Sequence, residues 1–236
     1  MLRAAVALAF VVVPLVAVAA PAPKPTQQEV LAKHFGKTLG EGEFELTGKQ
    51  LALRTTFGKP NQAFNWGDRN AVPRTALTAR GDFELTVRVL DAVPPNKDAK
   101  HDGHSAETRA GLYIHGEQSS FRYYLSQSYQ RFPGQPQDGK LQRSLGLEAN
   151  YPRGGASGSI GRPADGASTW LRLIRKDKAV SMSHSADGEK WSAPNNPFKN
   201  IDMSIPDEVT VGVFFSHSTY QFAHATFDGL TITKAK

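Results

Sequence analysis

The stretch WLRLIRKDKAVSMSHSADGEKW, residues 170–191, decides the fold. Leu171 and Leu173 alternate with Trp170, Arg172 and Ile174. Lys176, Asp177 and Lys178 supply a polar turn, and a second alternating run opens at Ala179. A period of two on both sides of a short polar break predicts a β-hairpin over 170–186. Asp187-Gly188 follows as a turn signal before Trp191.

The same pattern extends over most of the chain. Short alternating runs separated by Gly, Pro, Asn and Asp predict strands at 43–55, 81–92, 109–118, 120–128, 143–150, 169–176, 179–186, 208–218 and 222–233. In the second of these, Phe83, Leu85, Val87 and Val89 fall on one face and Glu84, Thr86 and Arg88 on the other, as expected of a half-buried antiparallel strand. The fold class that follows is all-β, a sandwich or barrel. Helical periodicity is confined to TQQEVLAKHFGK, where Thr26 and Glu29 have the spacing of a capping box. GEFELTGKQL and GDFELTVRVL are two similar strand openings, with no third copy to make a repeat. Residues 91–108 and 130–168, the latter holding the strand at 143–150, are long and rich in Gly, Pro and Ser, and long connections often carry function.

Residues 1–19 have the anatomy of a secretory signal peptide: Arg3, an apolar run from Ala4, and Ala17-Val18-Ala19 before a Pro-rich stretch. The expected mature protein is exported, to the periplasm, cell surface or medium. No later segment approaches the length of a membrane span. The expected division is signal peptide 1–19, lead segment 20–40 and sandwich domain 41–236. The chain has no cysteine, so neither a disulfide framework nor an N-terminal lipidated Cys is available. Its formal net charge of +6 falls by one with Arg3. The cations are interleaved with acids, without a basic cluster and stacking aromatics, so nucleic acid is not an expected partner.

Ser185-x-Asp187-Gly188-x-x-Trp191 resembles the S-x-D-x-G-x-x-W box of sialidases, but lacks the residue between Asp and Gly and occurs once, whereas a propeller needs several copies. A wider resemblance covers about residues 40–234. GDFELTVRV, RAGLYIH, the hairpin stretch above, VTVGVFFSHS and ATFDGLTI are similar in content and order to the concanavalin A-like lectin/glucanase superfamily, and look most like the DUF1349 family, the β-xylosidase C-terminal-like domain. The resemblance implies a jelly-roll sandwich of two antiparallel sheets, one concave, with the Asp-Gly piece a tight turn and Trp191 packed on the sandwich.

Glucan-cleaving members of that superfamily carry E-x-D-x-x-E on one strand, and this motif is absent. Glu43 and Glu45 share a strand face as solvated carboxylates. His101, Asp102 and His104 fall together in a long connection without a visible third strong metal ligand. With Ala110, Leu112 and Ile114 pointing inward, Arg109, Tyr113 and His115 point outward, and Arg172 does so between Leu171 and Leu173. Tyr124, His184 and His217 join them as candidate ligand-binding residues, because aromatic faces and planar donors suit sugar recognition. Asp228 is a weak candidate for a structural Ca²⁺, short of the oxygens that ion needs. No catalytic residue and no other cofactor is expected. The functional expectation is a secreted, non-catalytic carbohydrate-binding module for a polysaccharide, with a glycoside hydrolase using an unrecognised carboxylate pair, or an envelope or protein-interaction domain, as alternatives.

Overall fold

The protein is described by a computed structural model over residues 26–55, 72–93, 95, 105–130, 141–151, 154–161, 169–177, 179–197 and 205–235. Within these residues lie a helix, α1 (Gln27–Phe35), and the strands β1 (Lys37–Leu39), β2 (Glu43–Thr47), β3 (Gln50–Arg54), β4 (Arg74–Arg80), β5 (Phe83–Ala92), β6 (Ser105–His115) and β7 (Ser120–Gln130). They are followed by β8 (Gln142–Tyr151), β9 (Gly154–Gly161), β10 (Thr169–Lys176), β11 (Ala179–Ser185), β12 (Glu208–His217) and β13 (His224–Lys234). The helix starts as expected, with Thr26 and Glu29 exchanging the two bonds of a capping box, and it buries Leu31 and Phe35. No helix among the described residues is long and apolar enough to cross a membrane.

The strands form two antiparallel sheets of an all-β jelly-roll sandwich. One has seven strands in the order β1-β4-β12-β6-β7-β8-β9, the other six in the order β11-β10-β5-β13-β3-β2. Alternation decides what lies between them. Leu85, Val87 and Val89 of β5 and Leu171 and Leu173 of β10 face Leu112, Ile114, Tyr123, Val211, Val213 and Phe215 of the seven-stranded sheet, each at most 1% exposed. Burying each such aliphatic or aromatic side chain contributes about 1.5–3 kcal/mol before entropy is counted.

The hairpin at 170–186 forms as its alternation demands, Trp170 opposite Ser185 and Lys176 opposite Ala179. Beyond it, the segment at 191–197 folds back along β11: Met182 and Asn195 exchange backbone bonds of 2.9 and 2.8 Å, and the Ser192 N–H donates to the His184 carbonyl. The turn between is rigid. Asp187 accepts from the backbone N–H groups of Glu189 and Lys190 at 2.8 Å and from the Ser185 hydroxyl at 2.9 Å, which holds its carboxyl down to about 2.

Three expectations change. The run at 43–55 is not one strand but the β2-β3 hairpin, because Gly48 adopts φ +62°, a left-handed conformation that reverses the chain where side-chain alternation alone continues straight. Arg74–Arg80 is a strand, with Thr75 wholly buried. Gly154–Gly161, which composition assigns to a loop, pairs with β8 as an edge strand.

Strands β3, β5, β7, β9 and β12 all finish at one end of the sandwich. Connections between the sheets concentrate there. Gln127 donates to the Ala92 carbonyl at 2.5 Å, and Ala223, leading into β13, accepts from the N–H and hydroxyl of Thr55.

Candidate functional site

The outer face of the seven-stranded sheet carries chemistry that its inner face does not. On β6 the outward positions are Glu107, Arg109, Gly111 and Tyr113; on β7, Arg122, Tyr124 and Ser126; on β8, Gly146 and Glu148; on β12, Phe214. Register aligns them in rows. Gly146, Tyr124, Gly111 and Phe214 make one row, while Glu148, Arg122 and Tyr113 make the next. Tyr113, Tyr124 and Phe214 form an aromatic cluster separate from the core, with Val72 against it. The Tyr124 and Phe214 rings meet edge to face at 6.0 Å, across the bare backbone of Gly111. Gly146 is bare for the same reason: a Cβ there would collide with the Tyr124 ring.

Over that floor runs a charged lattice. Arg109 starts in the row beyond Tyr124 and crosses the ring, its guanidinium carbon 5.1 Å from the centroid, to reach Glu148 with Nη1. Its Nη2 donates to Glu107 Oε2 at 2.6 Å. Arg122 Nη2 meets the other Glu148 oxygen at 2.8 Å. The Ser126 hydroxyl donates to Glu107 at 2.5 Å, and the Tyr124 hydroxyl to Glu148 at 3.3 Å. The side chains are mostly enclosed: Arg109 and Glu107 are 12% exposed, Arg122 6% and Glu148 5%. These four charges balance one another.

Burial opposes the charged form of both arginines, with different results. Bonds and proximity to Glu107, Tyr124 and Glu148 hold Arg109 above the usual guanidinium range. Arg122 stays below it, because desolvation there outweighs a single carboxylate shared with a second cation. Both remain protonated at any ordinary pH. Burial also raises the Tyr124 and Tyr113 hydroxyls, the latter donating to the Thr75 carbonyl at 2.6 Å. The arrangement gathers donors, acceptors and an aromatic ring within a few ångströms, paired among themselves and largely enclosed; these are the group types that recognise a polyhydroxylated ring.

Of the seven residues singled out in the sequence, the structure brings Arg109, Tyr113 and Tyr124 together. His115 shares their face, half-buried, further along β6. Arg172 lies on the outer face of the other sheet, against Trp191. His184 is on β11, where its Nδ1 lies 3.1 Å from the Ser192 hydroxyl and burial lowers its pKa. His217 points between the sheets, wholly buried beside Phe215, and desolvation brings it down to about 4. Asp228 sits on β13 opposite Arg88, and no group of three His, Asp or Glu able to hold a metal occurs among the described residues. His101, Asp102 and His104 lie outside them. Glu107, Arg122 and Glu148 were not singled out from sequence, although strand alternation places each on the outward face of its strand.

No protein-family model matches the chain, and no curated protein matches it. Solved structures do. A functionally unknown protein from Saccharomyces cerevisiae matches with a TM-score of 0.58 at 12% identity, over 85% of this chain and 96% of that one. A β-1,3-glucanase from Mycobacterium marinum matches with a TM-score of 0.44 at 10% identity, over 80% and 77% of the two chains. A pseudo-β-1,3-glucanase of Mycobacterium tuberculosis matches with a TM-score of 0.46 at 11% identity, over 80% and 76%. The likeness to the yeast protein is one of fold alone, and the glucanase-type structures are more remote. Fold and site together define an all-β sandwich whose seven-stranded sheet carries a charged, aromatic-floored outer face.

Proposed function

We propose that the chain is a secreted carbohydrate-binding domain, non-catalytic, that holds a polysaccharide on the outer face of its seven-stranded sheet. The kinship with concanavalin A-like domains of the DUF1349 type and the export signal at residues 1–19 belong to the same reading. One observation carries it: Arg109 lies across the Tyr124 ring between Glu107 and Glu148. Sugar hydroxyls both donate and accept, so they fit a face where guanidinium and carboxylate groups lie side by side.

Affinity electrophoresis through gels carrying xylan, β-glucan, pectin and a sulfated polysaccharide tests this. Retardation by one polymer that persists in salt and is lost in Arg109→Lys, which keeps the charge but not the fork of donors, is the expected result. Retardation only by the acidic polymers, vanishing with salt, would assign binding to the chain's net charge instead. No retardation in any gel would overturn the reading.

A second reading has one observation in its favour. Glu107 and Glu148 are two carboxylates on one face, bridged by a single guanidinium, and a glycoside hydrolase needs two carboxyl groups about 5–10 Å apart. Release of reducing ends from the retarding polysaccharide, abolished in both Glu107→Gln and Glu148→Gln, would make the domain an enzyme.

A further inference from the structure

Phe222 is 57% exposed, and with Ile232 it accounts for the exposed large apolar side chains among the described residues. A single exposed apolar residue is ordinary on a protein surface, so the way this one is held decides its meaning. It lies in the connection from β12 to β13, which crosses from the seven-stranded sheet to the six-stranded one at the end where the long connections leave. That connection is pinned at both ends. The Ser218 N–H donates to the Glu107 carbonyl at 2.9 Å, and the Glu107 N–H returns a bond of 2.8 Å to the Ser218 hydroxyl. At the other end, the Ala223 carbonyl accepts from the Thr55 N–H at 3.0 Å and the Thr55 hydroxyl at 3.1 Å. Ser218, Thr219 and Ala223 are at most 3% exposed. Phe222 thus stands exposed on a connection whose backbone is anchored at both ends, and Glu107 belongs both to that anchor and to the charged lattice.

We infer that Phe222 is a second sugar-contacting group, whose ring takes the apolar C–H face of a pyranose and extends the binding surface from the outer sheet face onto the end of the sandwich. The inference rests on the polysaccharide reading above and deepens it: the ligand is an extended chain that touches more than one place. A ring carried on an anchored connection requires less backbone ordering on binding than one on a free loop.

The test compares the wild-type protein with Phe222→Ala, Phe222→Trp and Arg109→Lys in the xylan, β-glucan, pectin and sulfated-polysaccharide gels. Expected is an affinity about five- to tenfold weaker in Phe222→Ala, the loss typical of one aromatic contact. Phe222→Trp is expected to bind at least as tightly as wild type, with its added indole emission changing when the retarding polymer is titrated in. Melting temperatures should be the same in both Phe222 variants, since the side chain is exposed. Unchanged retardation of Phe222→Ala alongside lost retardation of Arg109→Lys would remove Phe222 from the binding surface and leave the polysaccharide reading standing. Unchanged Phe222→Trp emission in a polymer that retards the protein would do the same. A wild-type protein retarded by none of the polymers would overturn both.

Discussion

The Arg172 guanidinium lies 3.6 Å from the centroid of the Trp191 ring. Trp191 in turn donates its indole N–H to the Gly188 carbonyl at 3.0 Å, and Glu84 Oε2 approaches Arg172 Nε at 3.9 Å. The stack ties the Asp187 turn to the outer face of the six-stranded sheet, away from the lattice around Arg109. Arg172→Ala is expected to cost about 1 kcal/mol of stability, the range of a partly desolvated cation–π contact, and to leave polysaccharide retardation unchanged. A double-mutant cycle with Trp191→Leu should recover the same coupling; zero coupling would show that the two residues stand side by side without energetic consequence.

Glu148 serves two cations in a nearly closed environment. Glu148→Ala leaves both guanidiniums short of a carboxylate, and a loss of about 3–5 kcal/mol is expected. Glu45→Ala offers the contrast, because its partner Arg54 is 42% exposed and solvent-screened pairs contribute at most about 1 kcal/mol. Urea titrations of the two variants decide this, and equal losses would refute a structural lattice.

Gly146→Ala brings a methyl group into collision with the Tyr124 ring, nearest its Cε2. The ring must lift, at a cost of about 1–3 kcal/mol, and with it the support beneath Arg109. Retardation by polysaccharide should fall further than stability does, as seen by comparing gel mobility with the denaturation midpoint.

Acid should destabilise the fold in two windows. His217 is held down to about 4 against an ordinary 6.5, so between those values the unfolded chain binds the proton and the folded chain does not. Stability is therefore lost as pH falls from 6.5 toward 4, by about 3 kcal/mol in all. His217→Gln should flatten that slope in denaturant midpoints measured from pH 7 to 4. Asp187, held down to about 2, acts lower: its contribution is present above its ordinary 3.8 and disappears as pH approaches 2.

Where side-chain pattern alone determines structure, the sequence was readable. β5 repeats apolar residues at every second position from Phe83 to Val89, and β10 does so at Leu171 and Leu173, so the face each turns to the core follows from that. β4 was not readable, because Arg-Thr-Ala-Leu-Thr-Ala-Arg offers a single large apolar residue and Thr75 is buried by its neighbours in space. β9, built of Gly, Ala, Ser and one Ile, is a strand because β8 presents a ladder to it. The site divides likewise. Alternation alone turned Arg109 and Tyr113 outward, but the pairing of Arg122 with Glu148 across β7 and β8 is a matter of register, and charged residues read singly look solvated. His217 lies at the end of a strand of bulky apolar residues, and only the second sheet shows that its side is the interior.

The return of residues 191–197 along β11 bears on how the protein behaves in a crowd of its own copies. An open strand edge offers a row of unpaired N–H and C=O groups that a second molecule can extend. Here Met182 and His184 already spend theirs on Asn195 and Ser192, so growth of the six-stranded sheet from molecule to molecule is blocked on this side by a piece of the same chain.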